Sequence, residues 1–428
     1  MKILMISPGW SKSSIWGHIW FKFPVISLPT LAAITPDHHE IRYVDDNIEP
    51  ALIAADEDLV ALTVMTPLAP RAYAIADFFR SHGKKVILGG VHPTFCPEEA
   101  LQHADALVVG EGELSWPLAL QDAEQGKLKT IYRAENLIES QKIPPPDRTI
   151  LQNKKYFFTN LIQTTRGCPF DCEFCSVTSL YGGTYRVRPL EHIRQELDII
   201  GKPGSFIFIV DDNIVGQSRY SQELFTVLKD YRYKWLSHAS INLAFNDKLL
   251  RAAADSGCYG LFVGFESLNK DNLNLMGKKV NRIEYYQEAI ARFHQVGIGV
   301  LGSFVLGYDH DQTGVFEEIF SFTVKTKLDG GLFTILTPYP GTKVRRRLEK
   351  QGRIISNDWS LYDMEHIVFR PTNMTVEQLY SGFKELTLSF HTVPTILKRL
   401  FMPTRSFQFF APANFGFRNA WKKRFKNE

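Results

Sequence analysis

The chain has 428 residues, enough for two or three domains, and 44% of them are hydrophobic, so sizeable cores can form. Its formal net charge of +3 is too small to argue for a nucleic-acid partner. No stretch approaches roughly 18 uninterrupted apolar residues, the start MKILMISP is too short for a secretory signal, and five cysteines with three of them clustered do not read as a disulfide framework. Membrane-spanning and disulfide-stapled secreted classes are disfavoured, and a reducing cytoplasm fits.

Residues 1–135 alternate strand and helix patterns, with strands expected at 2–7, 40–44, 59–64, 85–88 and 106–109 and helices at 70–81 and 98–103. Such alternation predicts a doubly wound, Rossmann-like parallel sheet, whose ligands bind outside the carboxyl ends of the strands. Those ends carry Thr63-Val-Met-Thr-Pro, then Gly89 and Gly90 followed by His92 and Thr94, then Gly110 and Glu111 followed by Gly112-Glu113. Glycines there let a backbone approach a large ligand. His92 reads either as a ligand-contacting residue or as a turn histidine bonded to backbone.

A linker without clean periodicity follows at 136–158, including Pro144-Pro-Pro-Asp-Arg148. Residues 159–345 resume the alternation, with strands expected at 158–164, 206–210, 235–241, 260–264, 299–305 and 332–336. Six parallel strands with intervening helices suggest a (β/α)6 partial barrel, with chemistry at the strands' C-terminal ends. After the first of them comes C-x3-C-x2-C: Cys168, Cys172 and Cys175. Three thiolates so close can hold three corners of an iron–sulfur cluster and leave the fourth iron open. The alternatives are a zinc site or three unrelated thiols, and zinc wants a fourth ligand that no nearby residue supplies. Cys96 and Cys258 read as ordinary small apolar residues.

Other strand ends are also informative. Asp211 and Asp212 can accept hydrogen bonds from an ammonium group, or one of them caps the next helix. Glu266 suits a vicinal diol, or Ser267 is a cap and Glu266 is incidental. Gly302 and Gly307 allow close approach along the fifth strand, or only relieve crowding. Tyr339, in the turn Thr337–Thr342, faces substrate or packs, and one of Arg186 and Arg188 pairs with the carboxylate of a bound cofactor or the two are a solvated pair.

The segment Arg166–Cys175, with Phe174 as the aromatic before the last cysteine, resembles the signature of the radical S-adenosylmethionine (SAM) enzymes. The resemblance implies that SAM chelates the open iron of a 4Fe-4S cluster. One electron, from an external donor such as flavodoxin or ferredoxin, then cleaves SAM to methionine and a 5′-deoxyadenosyl radical. It implies cofactor contacts for Phe174, for Asp211 or Asp212 (amino group), for Glu266 and Ser267 (ribose) and for the strand bearing Gly302 and Gly307 (adenine). Asp309 and Asp311 depart from the Pro-Gly-Glu common there. The segments Gly89–Thr94 and Val109–Glu113 resemble the cobalamin-binding domain that precedes the core in one subclass, implying contacts from Gly89, Gly90, His92, Thr94, Gly110 and Glu111. The cobalt-ligating pattern D-x-H-x-x-G is absent, since Asp37-His38-His39 begins it without the glycine.

Residues 346–428 read as a helical segment. Between 398 and 428 stand eight Lys/Arg against Glu428 alone, interleaved with eight Phe/Trp. A packed helical lid, peripheral membrane contact and RNA binding are the readings, with nucleic acid the least supported. The expected function is a cobalamin-dependent radical SAM methyltransferase acting on an unactivated carbon of a small or lipid-like molecule. The alternatives are an oxidative cyclase or carbon–carbon coupling enzyme on a lipid or tetrapyrrole, and an iron–sulfur binding protein without catalysis. A methylthiotransferase of RNA is disfavoured, because the N-terminal half holds no second cysteine cluster.

Overall fold

A computed structural model describes residues 1–52, 56–157, 159–400 and 406–426. The first half is a six-stranded parallel sheet of β1 (Lys2–Ser7), β2 (Glu40–Asp45), β3 (Leu59–Thr63), β4 (Lys85–Gly89), β5 (Ala106–Val109) and β6 (Ile131–Arg133), in the order β2-β1-β3-β4-β5-β6. Alternation along the strands serves two cores. Leu4, Ile6, Val60, Leu62, Val86 and Leu88 pack on one face with Ile75 and Phe79 of the helix Ala69–Ser81. Ile3, Met5, Leu59, Ala61 and Ile87 pack on the other with Trp116 and Leu120 of the helix Gly112–Glu124. Strands buried on both faces read as continuous apolar runs, which is why β1 and β3–β5 are legible. The edge strand β6 is not, because its burial alternates exposed–buried–exposed over only three residues.

After the linker come β7 (Leu161–Ile162), a two-stranded antiparallel ribbon of β8 (Thr165–Gly167) and β9 (Tyr185–Val187), and then β10 (Phe206–Ile209), β11 (Lys234–Ala239), β12 (Cys258–Glu266), β13 (Gly299–Leu306) and β14 (Gly330–Ile335). The second sheet is wholly parallel in the order β14-β13-β12-β11-β10-β7, a six-stranded open barrel with helices outside. Phe158, the expected start of its first strand, lies outside the described residues.

The C-terminal segment closes the base of this barrel. Phe410, on the helix Phe407–Lys426, is buried against Leu301, Ile396 and Leu400. The three strands above it begin at or near Gly260, Gly299 and Gly330, where a Cβ would stand 2.9, 2.6 and 3.3 Å from the Phe410 ring. Trp421 joins the main core and packs edge-on against Phe383. Arg399 is buried too, donating to the carbonyls of Leu328 and Phe390 and to Asn414 Oδ1 while stacking on the Phe390 ring. Much of the basic, aromatic tail is therefore a packed plug. Phe401, Arg405 and Glu428 lie outside the described residues.

Candidate active site

The three cysteines occupy the loop from β8 to the helix Ser176–Tyr181. Cys172 is buried, and Cys168 and Cys175 are half-buried. Burial pushes the Cys172 thiol up to about 11, opposed by the Lys278 ammonium nearby. The loop is pinned at several points. Gly167 N–H donates to Asp212 at 2.9 Å, Glu173 N–H to the Met276 carbonyl at 2.9 Å, and Arg347 to Glu173 at 2.7 Å. Among the described residues only His38, His39 and Glu124 bring three such donor atoms within 4.8 Å of one another. The three thiols share one short loop, a donor set that can hold three corners of an iron–sulfur cluster.

A cavity of about 340 Å³ opens over the C-terminal ends of β10–β14, and Cys168, Phe174, Asp212, Glu266, Lys278 and Tyr339 are on its wall. Glu266 has φ +66°, a left-handed conformation that a side chain adopts only where its surroundings enforce it. Its carboxylate accepts from Lys278 Nζ at 2.7 Å. Burial opposes the charge on Lys278, but Glu266 and Cys172 outweigh it and hold the ammonium well above its usual range. Cation, carboxylates and thiol thus share one wall, a donor set that fits an amino acid bound beside a cluster. The lumen below is more apolar, with Phe262, Leu301 and Leu332 beside His238. His238 Nδ1 lies 3.2 Å from the Asp211 carbonyl, and burial holds its pKa below the usual value.

Several expected residues stand elsewhere. Asp211 is fully buried, and its carboxylate accepts from Thr164 N–H at 2.6 Å, Thr165 N–H at 3.0 Å and the Thr164 hydroxyl. Of the aspartate pair, Asp212 alone reaches the cavity, and neither caps the next helix, whose N-cap is Gln217. Ser267 is buried and accepts from Asn269 N–H, while Asn269 is the cap. A Cβ on Gly302 would meet Phe265 and Leu328, and one on Gly307 would meet Leu379 and Phe369, so both glycines relieve crowding on the helix side. Arg188 pairs with buried Glu196 at 2.8 Å, away from the cavity wall.

A second cavity, about 320 Å³, lies at the carboxyl ends of the first sheet. Gly89, Gly90, Gly110 and Glu111 line it from the sheet, and Gln163, Arg166 and Tyr181 from the barrel. Gly90 has φ +103°, and a Cβ there would collide with Val64 backbone atoms at 2.8 and 2.9 Å. Gly110, at φ +81°, faces open space that a Cβ would enter. These turns form a cradle for a bulky ligand. Thr94 ties them together, donating to the Gly90 carbonyl and accepting from Gly110 N–H. His92 is not on this wall. It is fully buried, with Nε2 3.0 Å from Tyr73 Oη and its ring against Trp359.

Residues 15–118 match the B12 binding domain and residues 162–322 the Radical SAM superfamily. The bacteriochlorophyllide d C-12(1)-methyltransferase of Chlorobaculum tepidum is 31% identical over 88% of this chain and 84% of its own. The chain belongs to the radical SAM superfamily, in the subclass carrying a B12-binding domain. The hopanoid C-2 methylase of Rhodopseudomonas palustris is 27% identical over 83% of this chain and 72% of its own. Two solved folds agree. OxsB, with aqua-cobalamin and SAM bound, gives a TM-score of 0.69 at 14% identity over 100% of this chain and 80% of its own. TsrM from Kitasatospora setae, with cobalamin and a [4Fe-4S] cluster bound, gives 0.68 at 12% identity over 98% and 99%. The cofactors of this radical SAM enzyme are a 4Fe-4S cluster, SAM and cobalamin.

Sequence reasoning missed Lys278, which no motif announces because it follows a short helix remote from the cysteines. It also missed the joint between the cavities. Arg166 donates to Glu111 at 2.8 Å and to Glu113, and Arg186 donates to Glu111 at 2.8 Å. The signal was present, since Arg166 sits two residues before Cys168 and Glu111 in the glycine-rich turn.

Proposed function

We propose that this enzyme transfers a methyl group to an unactivated carbon of a small, largely apolar molecule. The carrying observation is that Arg166 and Tyr181 line the second cavity while their loop, through Cys168, also walls the first, so both cofactor sites share one joint. Relatives named for bacteriochlorophyllide and hopanoid substrates support a bulky polycyclic acceptor, and the apolar lumen of Phe262, Leu301 and Leu332 suits one.

In this reading Cys168, Cys172 and Cys175 hold the cluster. Asp212 accepts from the amino group of SAM, Lys278 faces its carboxylate and Glu266 its ribose. The sheet turns at Gly89, Gly90, Gly110 and Glu111 hold cobalamin. When bound, these groups supply a 5′-deoxyadenosyl radical and a methyl donor. The protein orients them and excludes water from the space between. The acceptor is a small molecule, and reduction comes from an external one-electron donor of the flavodoxin or ferredoxin type.

The test is anaerobic reconstitution with iron, sulfide and hydroxocobalamin, then incubation with SAM, a one-electron reductant and candidate polycyclic acceptors, followed by mass spectrometry. A product heavier by one methylene, together with 5′-deoxyadenosine, supports methyl transfer. Product at unchanged or lower mass moves the assignment to cyclisation or oxidation.

We also propose peripheral membrane contact at the barrel base. Trp20, Phe157 and Phe407 are 58%, 49% and 49% exposed there, and Trp20, Phe157 and Phe409 line an apolar pocket of about 240 Å³. Among the described residues no helix is long and apolar enough to cross a membrane. Co-sedimentation with anionic liposomes that persists unchanged in a Trp20→Ser/Phe157→Ser/Phe407→Ser protein would sink the idea.

A further inference from the structure

We propose that His38, His39 and Glu124 form a divalent-cation site of the zinc type on the first sheet, remote from both cavities. The histidines end the turn before β2, and Glu124 is the last residue of the helix Gly112–Glu124. All three donor atoms lie within 4.8 Å of one another. His38 Nε2 is 2.7 Å and His39 Nε2 3.4 Å from the same oxygen, Glu124 Oε1. A tetrahedral ion with bonds of about 2.0–2.1 Å holds its donors about 3.3 Å apart, so the set needs only small side-chain shifts.

The site is half preformed. His39 is 1% exposed in its side chain and so fixed in place, whereas His38 and Glu124 are 63% and 37% exposed and able to close on an ion. The other nitrogen of His39, Nδ1, lies 3.2 Å from the Met1 ammonium and accepts from it, so a cation at Nε2 requires that ammonium to give up its proton or turn away. Two imidazoles and one carboxylate select zinc or a neighbouring transition ion over magnesium or calcium, and three protein ligands leave room for water. Binding would staple β2 to a helix 86 positions along the chain. The bland alternative is an ordinary surface His–Glu pair.

The experiment is zinc titration of the cluster-loaded enzyme under anaerobic conditions, because loading occupies the cysteine thiols that would otherwise take zinc. We expect one equivalent bound at micromolar zinc, undisplaced by millimolar magnesium, and a higher melting temperature. His38→Ala and Glu124→Gln each weaken binding by about a hundredfold. Both positions are exposed enough that the zinc-free melting temperature stays where it was. No zinc on the loaded enzyme, or binding unchanged in the His38→Ala/Glu124→Gln protein, overturns the proposal. As a second route, a Cys168→Ala/Cys172→Ala/Cys175→Ala protein that still binds one zinc supports it, and one that binds none counts against it.

Discussion

Glu111 and Arg166 join the two halves of the enzyme through a buried ion pair of 2.8 Å, one on the glycine-rich wall of the second cavity and the other two residues before the first cysteine. Burial opposes the charge on Glu111, but bonds from Arg186 and Arg166 prevail and hold its carboxyl below the usual range. Removing one partner of a buried pair costs about 3–5 kcal/mol, because the other is left unpaired. Arg166→Ala should therefore loosen the joint more than Arg166→Lys. We expect loss of retained cobalamin on gel filtration, with 5′-deoxyadenosine formation less affected. Full cobalamin retention by Arg166→Ala would refute the joint.

Asp211 and Asp212 are adjacent and should respond differently. Asp211→Ala strands the amides of Thr164 and Thr165 in the interior, at about 1–3 kcal/mol each. We expect a lower melting temperature. Asp212→Asn keeps the shape of the wall and removes a charge, so SAM cleavage should fall about tenfold to a hundredfold with little change in melting. If Asp212→Asn cleaves SAM at the normal rate, Asp212 does not hold the amino group.

Those two residues also mark how far the sequence could be read. A strand ending in two carboxylates is visible as a pattern, but which one faces the cavity depends on how the chain turns into β7 and β8 to offer its amides. His92 misleads for a related reason. It sits in a glycine-rich turn, yet Tyr73, Glu99 and Trp359 enclose it, and Trp359 comes from far along the chain. Cysteine spacing and strand ends are local signals and were legible. The packing of Gly302 and Gly307 against the helix layer, and the approach of Lys278 to Glu266, are tertiary and left no local trace.

The plug at the barrel base is a second tertiary device. Phe410→Ala leaves a void below β12–β14, and core phenylalanine truncations cost about 3–5 kcal/mol. Gly299→Ala should also destabilise, since the added Cβ would collide with Ser406 Oγ and stand 2.6 Å from the Phe410 ring, and only the second clash is relieved by Phe410→Ala. The two changes should offset each other in part, so that Gly299→Ala costs less in the Phe410→Ala background. Urea melts of the four proteins in this cycle measure the coupling, and strict additivity would mean that Phe410 does not fill the space the glycine leaves.

His391 gives the C-terminal plug a dependence on acid. It is buried beside Phe390 and Phe417, and its Nδ1 bonds the Thr387 carbonyl at 2.8 Å. Burial, against that bond and with Arg399 nearby, pushes its pKa down to about 3, from the ordinary 6.5. Below about pH 6.5 the unfolded chain takes up a proton at this position that the folded chain refuses, so stability falls as pH drops towards 3. Between pH 7 and pH 5 the loss is about 2 kcal/mol, at about 1.4 kcal/mol per unit below 6.5. His391→Gln has nothing to protonate there. It should lower stability at pH 7 through poorer packing and yet lose about 2 kcal/mol less on acidification to pH 5, a difference that urea midpoints at the two pH values resolve. An equal acid loss in wild type and His391→Gln would show that this imidazole is not the group responsible.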